Sequence, residues 1–168
     1  MLDSPALRAA FAAAAVFCMG ACSTRPIAPS TVPNTRSAPA QPSEALLAAF
    51  SAVLSGQSQV PPVPKSLTNA SGRVDAVLDR RSLLFRWKLS FTGLTGDPVA
   101  GHFHGPAAAN ARAGVAVEFR GPVTHPMQGQ ITLNPAQAAD LLAGRWYADI
   151  HTLAFPAGEI RGQLILRE

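Results

Sequence analysis

His102 and His104 sit one residue apart in Gly101-His102-Phe103-His104-Gly105-Pro106, and the whole chain has only four histidines. On an extended strand successive side chains point to opposite faces, so His-x-His places both imidazoles on one face, with Cα atoms roughly 6–7 Å apart. Such a pair can supply two nitrogen ligands to one ion, and an open zinc-type site needs a third. The candidate third ligand is His151, in Asp149-Ile150-His151-Thr152. A divalent or copper ion is the cofactor that an imidazole set suits. The same three residues equally suit a hydrogen-bonded polar cluster that pins turns without any metal. His125, two residues from Met127, could in principle ligate soft copper, but Pro126 between them marks an exposed loop.

Strand parity says which side chains could join these histidines. In 99–104, Val99, Gly101 and Phe103 share one face and Ala100, His102 and His104 the other. In 145–152, Trp146, Ala148 and Ile150 read as core, which sends Tyr147, Asp149 and His151 to the opposite face. In the last strand Ile160, Gly162, Leu164 and Leu166 face inward and Glu159, Arg161 and Gln163 outward. The expected arrangement is one polar surface that carries His102, His104 and His151 with a polar cluster of Asp149, Glu159 and Arg161. Glu159 and Arg161, at i and i+2, are expected to form an ion pair beside a hairpin turn.

The elements that must position these residues read mostly with period two. Phe50, Ala52 and Leu54 alternate with Ser51 and Val53, and Val74, Ala76 and Leu78 alternate with Arg73, Asp75 and Asp79. After the turn at 79–82, Phe85, Trp87, Leu89 and Phe91 alternate with Arg86, Lys88 and Ser90, so these two runs form a hairpin. Val115, Val117 and Phe119 form a further strand, as do residues 130–133. One helix is predicted over 136–143, with Asn134 as N-cap, Pro135 in the first turn, Gln137 closing a capping box and Gly144 as the stop. Strands over 145–152 and 159–166 follow, joined by Pro156-Ala157-Gly158. Many short strands with turn signals between them predict an all-β domain, a Greek-key β-sandwich or barrel-like fold with one short helix.

The first part of the chain has a different character. Arg8 precedes an apolar run from Ala9 to Ala21, too short to span a bilayer comfortably and matching a signal-peptide core. Met19-Gly20-Ala21-Cys22 resembles the bacterial lipobox, which implies lipidation of Cys22 after removal of residues 1–21. Residues 22–44 recur in Pro, Ser and Ala and cannot bury enough apolar surface to offset their ordering entropy, so they are expected to be a flexible tether. The folded domain is expected over 45–168. With Cys18 removed and Cys22 blocked, thiol and disulfide chemistry drop out. The predicted location is the bacterial cell envelope, lipid-anchored and facing the periplasm or exterior.

The formal net charge is only +4, from scattered residues with no basic run among aromatics, which argues against nucleic acid as a partner. The expected partners are membrane lipid through Cys22 and an envelope protein. No nucleophile elbow and no isolated carboxylate pair support hydrolytic chemistry, so no catalytic residue is assigned.

Several stretches taken in order carry a resemblance. They are Leu54-Ser55-Gly56-Gln57-Ser58-Gln59-Val60-Pro61-Pro62-Val63, Phe91-Thr92-Gly93-Leu94, Gly101-His102-Phe103-His104-Gly105-Pro106-Ala107, and Ala139-Asp140-Leu141-Leu142-Ala143-Gly144. Asp149-Ile150-His151-Thr152 and Pro156-Ala157-Gly158-Glu159-Ile160-Arg161-Gly162-Gln163-Leu164 complete the set. The chain from about 48 to 167 resembles the CHRD family, named for repeats of the animal protein chordin and widespread in secreted bacterial proteins. The resemblance implies an all-β extracellular module with a shared His-x-His and His constellation, and it implies little about chemistry. Two positions depart from the family's pattern: Gln59 stands where a Glu is usual and Asp149 where an Asn is common.

Three functions compete at this point. The first is a membrane-tethered binding module that holds an ion through His102, His104 and His151. The second is a metal-free structural or adhesive envelope module, with open sheet edges available to a partner. The third is an enzyme resembling copper–zinc superoxide dismutase, with Arg161 steering an anion, which needs more histidines than the four present.

Overall fold

The computed structural model describes residues 46–167. The expected signal segment, Cys22 and the expected Pro-rich tether lie outside the described residues. Nine strands and one helix follow in the order β1 (Leu47–Ser55), β2 (Ser71–Asp79), β3 (Leu84–Thr92), β4 (Pro98–His104), β5 (Val115–Glu118), β6 (Met127–Thr132), α1 (Pro135–Leu142), β7 (Tyr147–Thr152), β8 (Ile160–Gln163) and β9 (Ile165–Arg167). They form one sheet in the order β5-β4-β7-β8-β1-β2-β3-β6, with β9 continuing beside β1. Every ladder is antiparallel.

The fold is thus all-β with one short helix, and the sheet curls into a half-barrel. Aromatic contacts report the curl directly. Phe85 on β3 and Phe103 on β4 are separated by four intervening strands, which in a flat sheet puts them roughly 24 Å apart. Their ring centroids lie 5.2 Å apart, edge to face. Trp87 meets the same ring at 5.3 Å and Phe119 at 5.0 Å. Curling brings the two ends of the sheet together over a common core because each strand offers one apolar face.

The alternation read from sequence is the observed one along β1 to β3. Ala48, Phe50, Ala52 and Leu54 are buried, as are Val74, Ala76 and Leu78, then Phe85, Trp87 and Leu89. The β2–β3 hairpin pairs Leu78 with Phe85. Helix α1 begins as its sequence requires: Asn134 Oδ1 accepts from the Gln137 backbone N–H, and Gln137 Oε1 accepts from that of Asn134. Leu141 on α1 is fully buried against the core.

One inward assignment fails. Leu166 is 38% exposed, because β9 has β1 on one side and no described strand on the other. The ladder breaks at Leu164, whose side chain is buried and whose N–H donates to Trp146 O at 2.9 Å.

Candidate metal centre

β4 and β7 are hydrogen-bonded neighbours, with His102 opposite Asp149, His104 opposite Tyr147, and Ala100 opposite His151. Parity then does the rest, putting His102, His104, Asp149 and His151 on the same face of the sheet. One ligand atom from each lies within 4.8 Å of every other, a group that could hold a metal ion.

The individual distances define the shape. Asp149 Oδ1 lies 3.1 Å from His104 Nε2, 3.1 Å from His151 Nε2 and 3.8 Å from His102 Nδ1. His102 Nδ1 lies 3.3 Å from His151 Nε2. Ligands at about 2.0–2.1 Å from a tetrahedral zinc stand roughly 3.3 Å apart. Three of these four separations therefore already match edges of a tetrahedron of three nitrogens and one oxygen.

The outer nitrogens fix how the imidazoles are protonated. His104 Nδ1 faces Ala113 O at 3.0 Å and His151 Nδ1 faces Pro156 O at 3.0 Å. A carbonyl can only accept, so both Nδ1 atoms carry a hydrogen, and in a neutral ring Nε2 is then a lone pair. Both of those lone pairs point at the Asp149 carboxylate, which is also an acceptor. Backbone carbonyls that orient a histidine in this way are the usual outer support of a metal ligand. Without a cation at the centre, the contacts with Asp149 require protons on the imidazoles.

Electrostatics follow from this geometry. Burial pushes the Asp149 carboxyl upward, but hydrogen bonds and charge from His104 and His151 outweigh it and bring the pKa down to about 2. The Asp149 hydrogen bond raises His151, while burial lowers His102. Asp149 is thus an anion in a site shielded from water.

The face expected to be wet is covered. Residues 105–114 fold over it: Ala113 bonds both His104 and Tyr147, and Arg161 donates to Ala108 O and Ala111 O. Exposure is 9% at His104 and 4% at Asp149. Tyr147 is buried here too, with the His104 imidazole stacked on its ring at 4.8 Å. Its strand parity was visible in the sequence, but the loop that buries it carries no periodic pattern.

Glu159 and Arg161 do not form the expected ion pair. Glu159 precedes β8 and turns into a nest of threonines, accepting from Thr68 Oγ1 at 2.6 Å, Thr152 Oγ1 at 2.7 Å, Thr95 Oγ1 at 2.9 Å and the Thr95 N–H at 3.0 Å. Those bonds outweigh the cost of burial and leave its pKa below the ordinary carboxylate value. Four donors stand in for a cation, and they come from three separate segments that no local sequence pattern links. Arg161 stays on the outer face of β8 and lies over the Tyr147 ring. His125 stands apart from the cluster, its Nδ1 accepting from the Phe91 N–H at 3.1 Å.

The match to the CHRD domain model covers residues 50–164, most of the chain and all of the site. The chain belongs to the CHRD family. Residues 102–104, 149–152 and 158–164, which carry the resemblance in sequence, lie on the three adjacent strands β4, β7 and β8 or directly beside them. No curated protein and no solved structure matches the chain.

Proposed function

We propose that this CHRD chain is a membrane-tethered, extracytoplasmic binding module that holds a late first-row divalent ion or copper at His102, His104, His151 and Asp149. The observation that carries this reading is the convergence of imidazole lone pairs on a buried carboxylate, an arrangement a cation relieves. Three imidazoles and one carboxylate suit zinc, copper or nickel better than magnesium or calcium. Four protein ligands complete a tetrahedral shell, as structural and binding sites do, whereas catalytic sites keep a position open. The reading is therefore ion binding without turnover. Met19-Gly20-Ala21-Cys22 and the Pro-rich residues after it support attachment at an envelope membrane through a lipid on Cys22.

The test is titration of the metal-depleted full chain with Zn(II) and Cu(II) by calorimetry, beside a His102→Ala, His104→Ala, His151→Ala triple variant. Stoichiometric binding by the parent and its loss in the triple variant is the expected result. Equal binding by both chains overturns the metal reading and leaves a metal-free envelope module. Tethering is tested separately, by the mass of the mature N-terminus in parent and Cys22→Ala chains.

A further inference from the structure

Arg161 is 2% exposed, yet it forms no ion pair among the described residues. Its cross-strand neighbour is Asp149, whose carboxylate is already engaged by His104 and His151. A guanidinium does not shed its proton, so a buried one without an anion is costly unless the site supplies compensation. Part of that compensation is visible. Nη2 donates to Ala111 O at 2.7 Å and to Ala108 O at 3.4 Å, and the face of the group rests on Tyr147. The N–H groups on Nε and Nη1 have no partner among the described residues.

Arg161 lines a cavity of about 450 Å³ together with Gln59, Val60, Pro62, Asn110 and Gln163. Two polar atoms of residues in this lining are buried without a partner, Gln59 Nε2 and Gln163 Oε1. The orientation of the Gln163 amide is fixed, since Nε2 donates to Gly144 O at 2.8 Å and Ala107 O at 3.0 Å. Its oxygen is therefore an acceptor that lacks a donor. Gln59 is 5% exposed and packs so closely on Gly158 that a Cβ there would meet Nε2 at 2.4 Å. Buried polar atoms are paired in the great majority of cases, and two of the exceptions belong to residues that line this cavity beside the Arg161 guanidinium.

We propose that this cavity binds a small organic carboxylate that also carries a neighbouring N–H or O–H donor. The carboxylate takes the free N–H groups of Arg161, with the Gln59 side chain part of the cavity wall. The ligand's own donor meets Gln163 Oε1, and its carbon skeleton lies against Val60 and Pro62. Arginine favours a planar carboxylate because its fork matches two oxygens at once. The volume falls within the ordinary range for a small-molecule site. This site is separate from the ion site on β4 and β7, and neither requires the other to be filled.

The experiment is a titration of the metal-depleted full chain with N-acetylglycine, which has a carboxylate and an adjacent amide N–H. It is read at the Arg161 Nε–H resonance, assigned by its absence from Arg161→Lys. For a ligand of this size a Kd of about 1 mM is expected. N-acetylglycinamide, which lacks the charge, and sulfate, which lacks the planar shape and the donor, are expected to bind at least about tenfold more weakly. Gln59→Glu places a carboxylate inside the cavity and should weaken N-acetylglycine by about tenfold or more, while its thermal melt reports that the fold is kept. The proposal is overturned if N-acetylglycine gives no saturable shift, if the neutral amide or sulfate binds as tightly, or if the folded Gln59→Glu chain binds unchanged.

Discussion

The guanidinium carbon of Arg161 lies 3.4 Å from the centroid of the Tyr147 ring, and the His104 imidazole stacks on that ring within 7° of parallel. The two approach from the strands on either side of β7. One aromatic side chain thus lies between the histidine–aspartate cluster and the buried arginine and gives each a rigid wall. A cation on a ring face is stabilised more strongly when both are out of water, as they are here.

Two substitutions at Tyr147 separate its ring from its hydroxyl. Tyr147→Phe keeps both stacks and loses the contact with the Ala113 N–H at 3.2 Å, so a cost of about 1 kcal/mol is expected in urea denaturation. Tyr147→Ala removes a buried ring and should cost about 3–5 kcal/mol. Near-equal effects would mean that the hydroxyl, and not the ring, holds the loop at 105–114.

Asp149 distinguishes a metal ligand from an ion-pair partner. In Asp149→Asn the amide can donate to an imidazole lone pair, so the metal-free fold should retain its stability to within about 1 kcal/mol. Zinc affinity should fall by at least the roughly 10–100-fold seen when even outer-shell partners of ligands are changed. If instead the metal-free chain loses about 3–5 kcal/mol and zinc affinity does not change, the cluster is an imidazolium–carboxylate network. Calorimetry and denaturation on the same two chains decide between these outcomes.

The parts of this molecule that were legible in the sequence are those governed by period and local caps. Alternation located β1, β2 and β3, the Asn134 capping box located α1, and parity put the three candidate ligands His102, His104 and His151 on one face with Asp149 of the expected polar cluster. The pairing of β4 with β7 is a long-range choice that no local pattern encodes, and parity could only state its consequence. Burial of the outer face was not legible because residues 105–114 cover it through backbone carbonyls, which every sequence has. Glu159 misled for a related reason: a carboxylate two residues from an arginine suggests an ion pair, yet hydroxyls from Thr68, Thr95 and Thr152 reached it first.

Glu159 should make stability fall in acid. Its folded pKa is below the ordinary 4.5, so its contribution is complete above that value and is lost as pH falls through the folded pKa. Charge-assisted hydrogen bonds of this kind are worth about 1.5–3 kcal/mol each, against a burial cost of several kcal/mol, so a net loss of about 1–3 kcal/mol is expected for Glu159→Gln at pH 7. The difference should vanish below the folded pKa, leaving the variant with the flatter stability–pH curve. Parallel curves for parent and variant from pH 7 down to strong acid would show that the carboxylate carries no linked proton.

Gly162 sits on β8 where a Cβ would meet Val53 O at 2.4 Å and the Val53 carbonyl carbon at 2.8 Å. The obstacle is the backbone of β1, held in its ladder with β2 by nine paired positions from Leu47 to Ser55, and it cannot swing aside as a side chain would. β8 also carries Arg161 and Gln163 and pairs with β7 through Asp149 and Tyr147, so displacing it moves the wall of both proposed sites. Gly162→Ala should therefore destabilise the chain by about 1–3 kcal/mol, the usual cost of overpacking, and weaken N-acetylglycine binding in the molecules that remain folded. Gly96→Ala, where no atom lies within 4 Å of the new methyl, serves as the control and should be close to neutral. If the two variants melt together, β1 and β8 are not held as close as this contact requires.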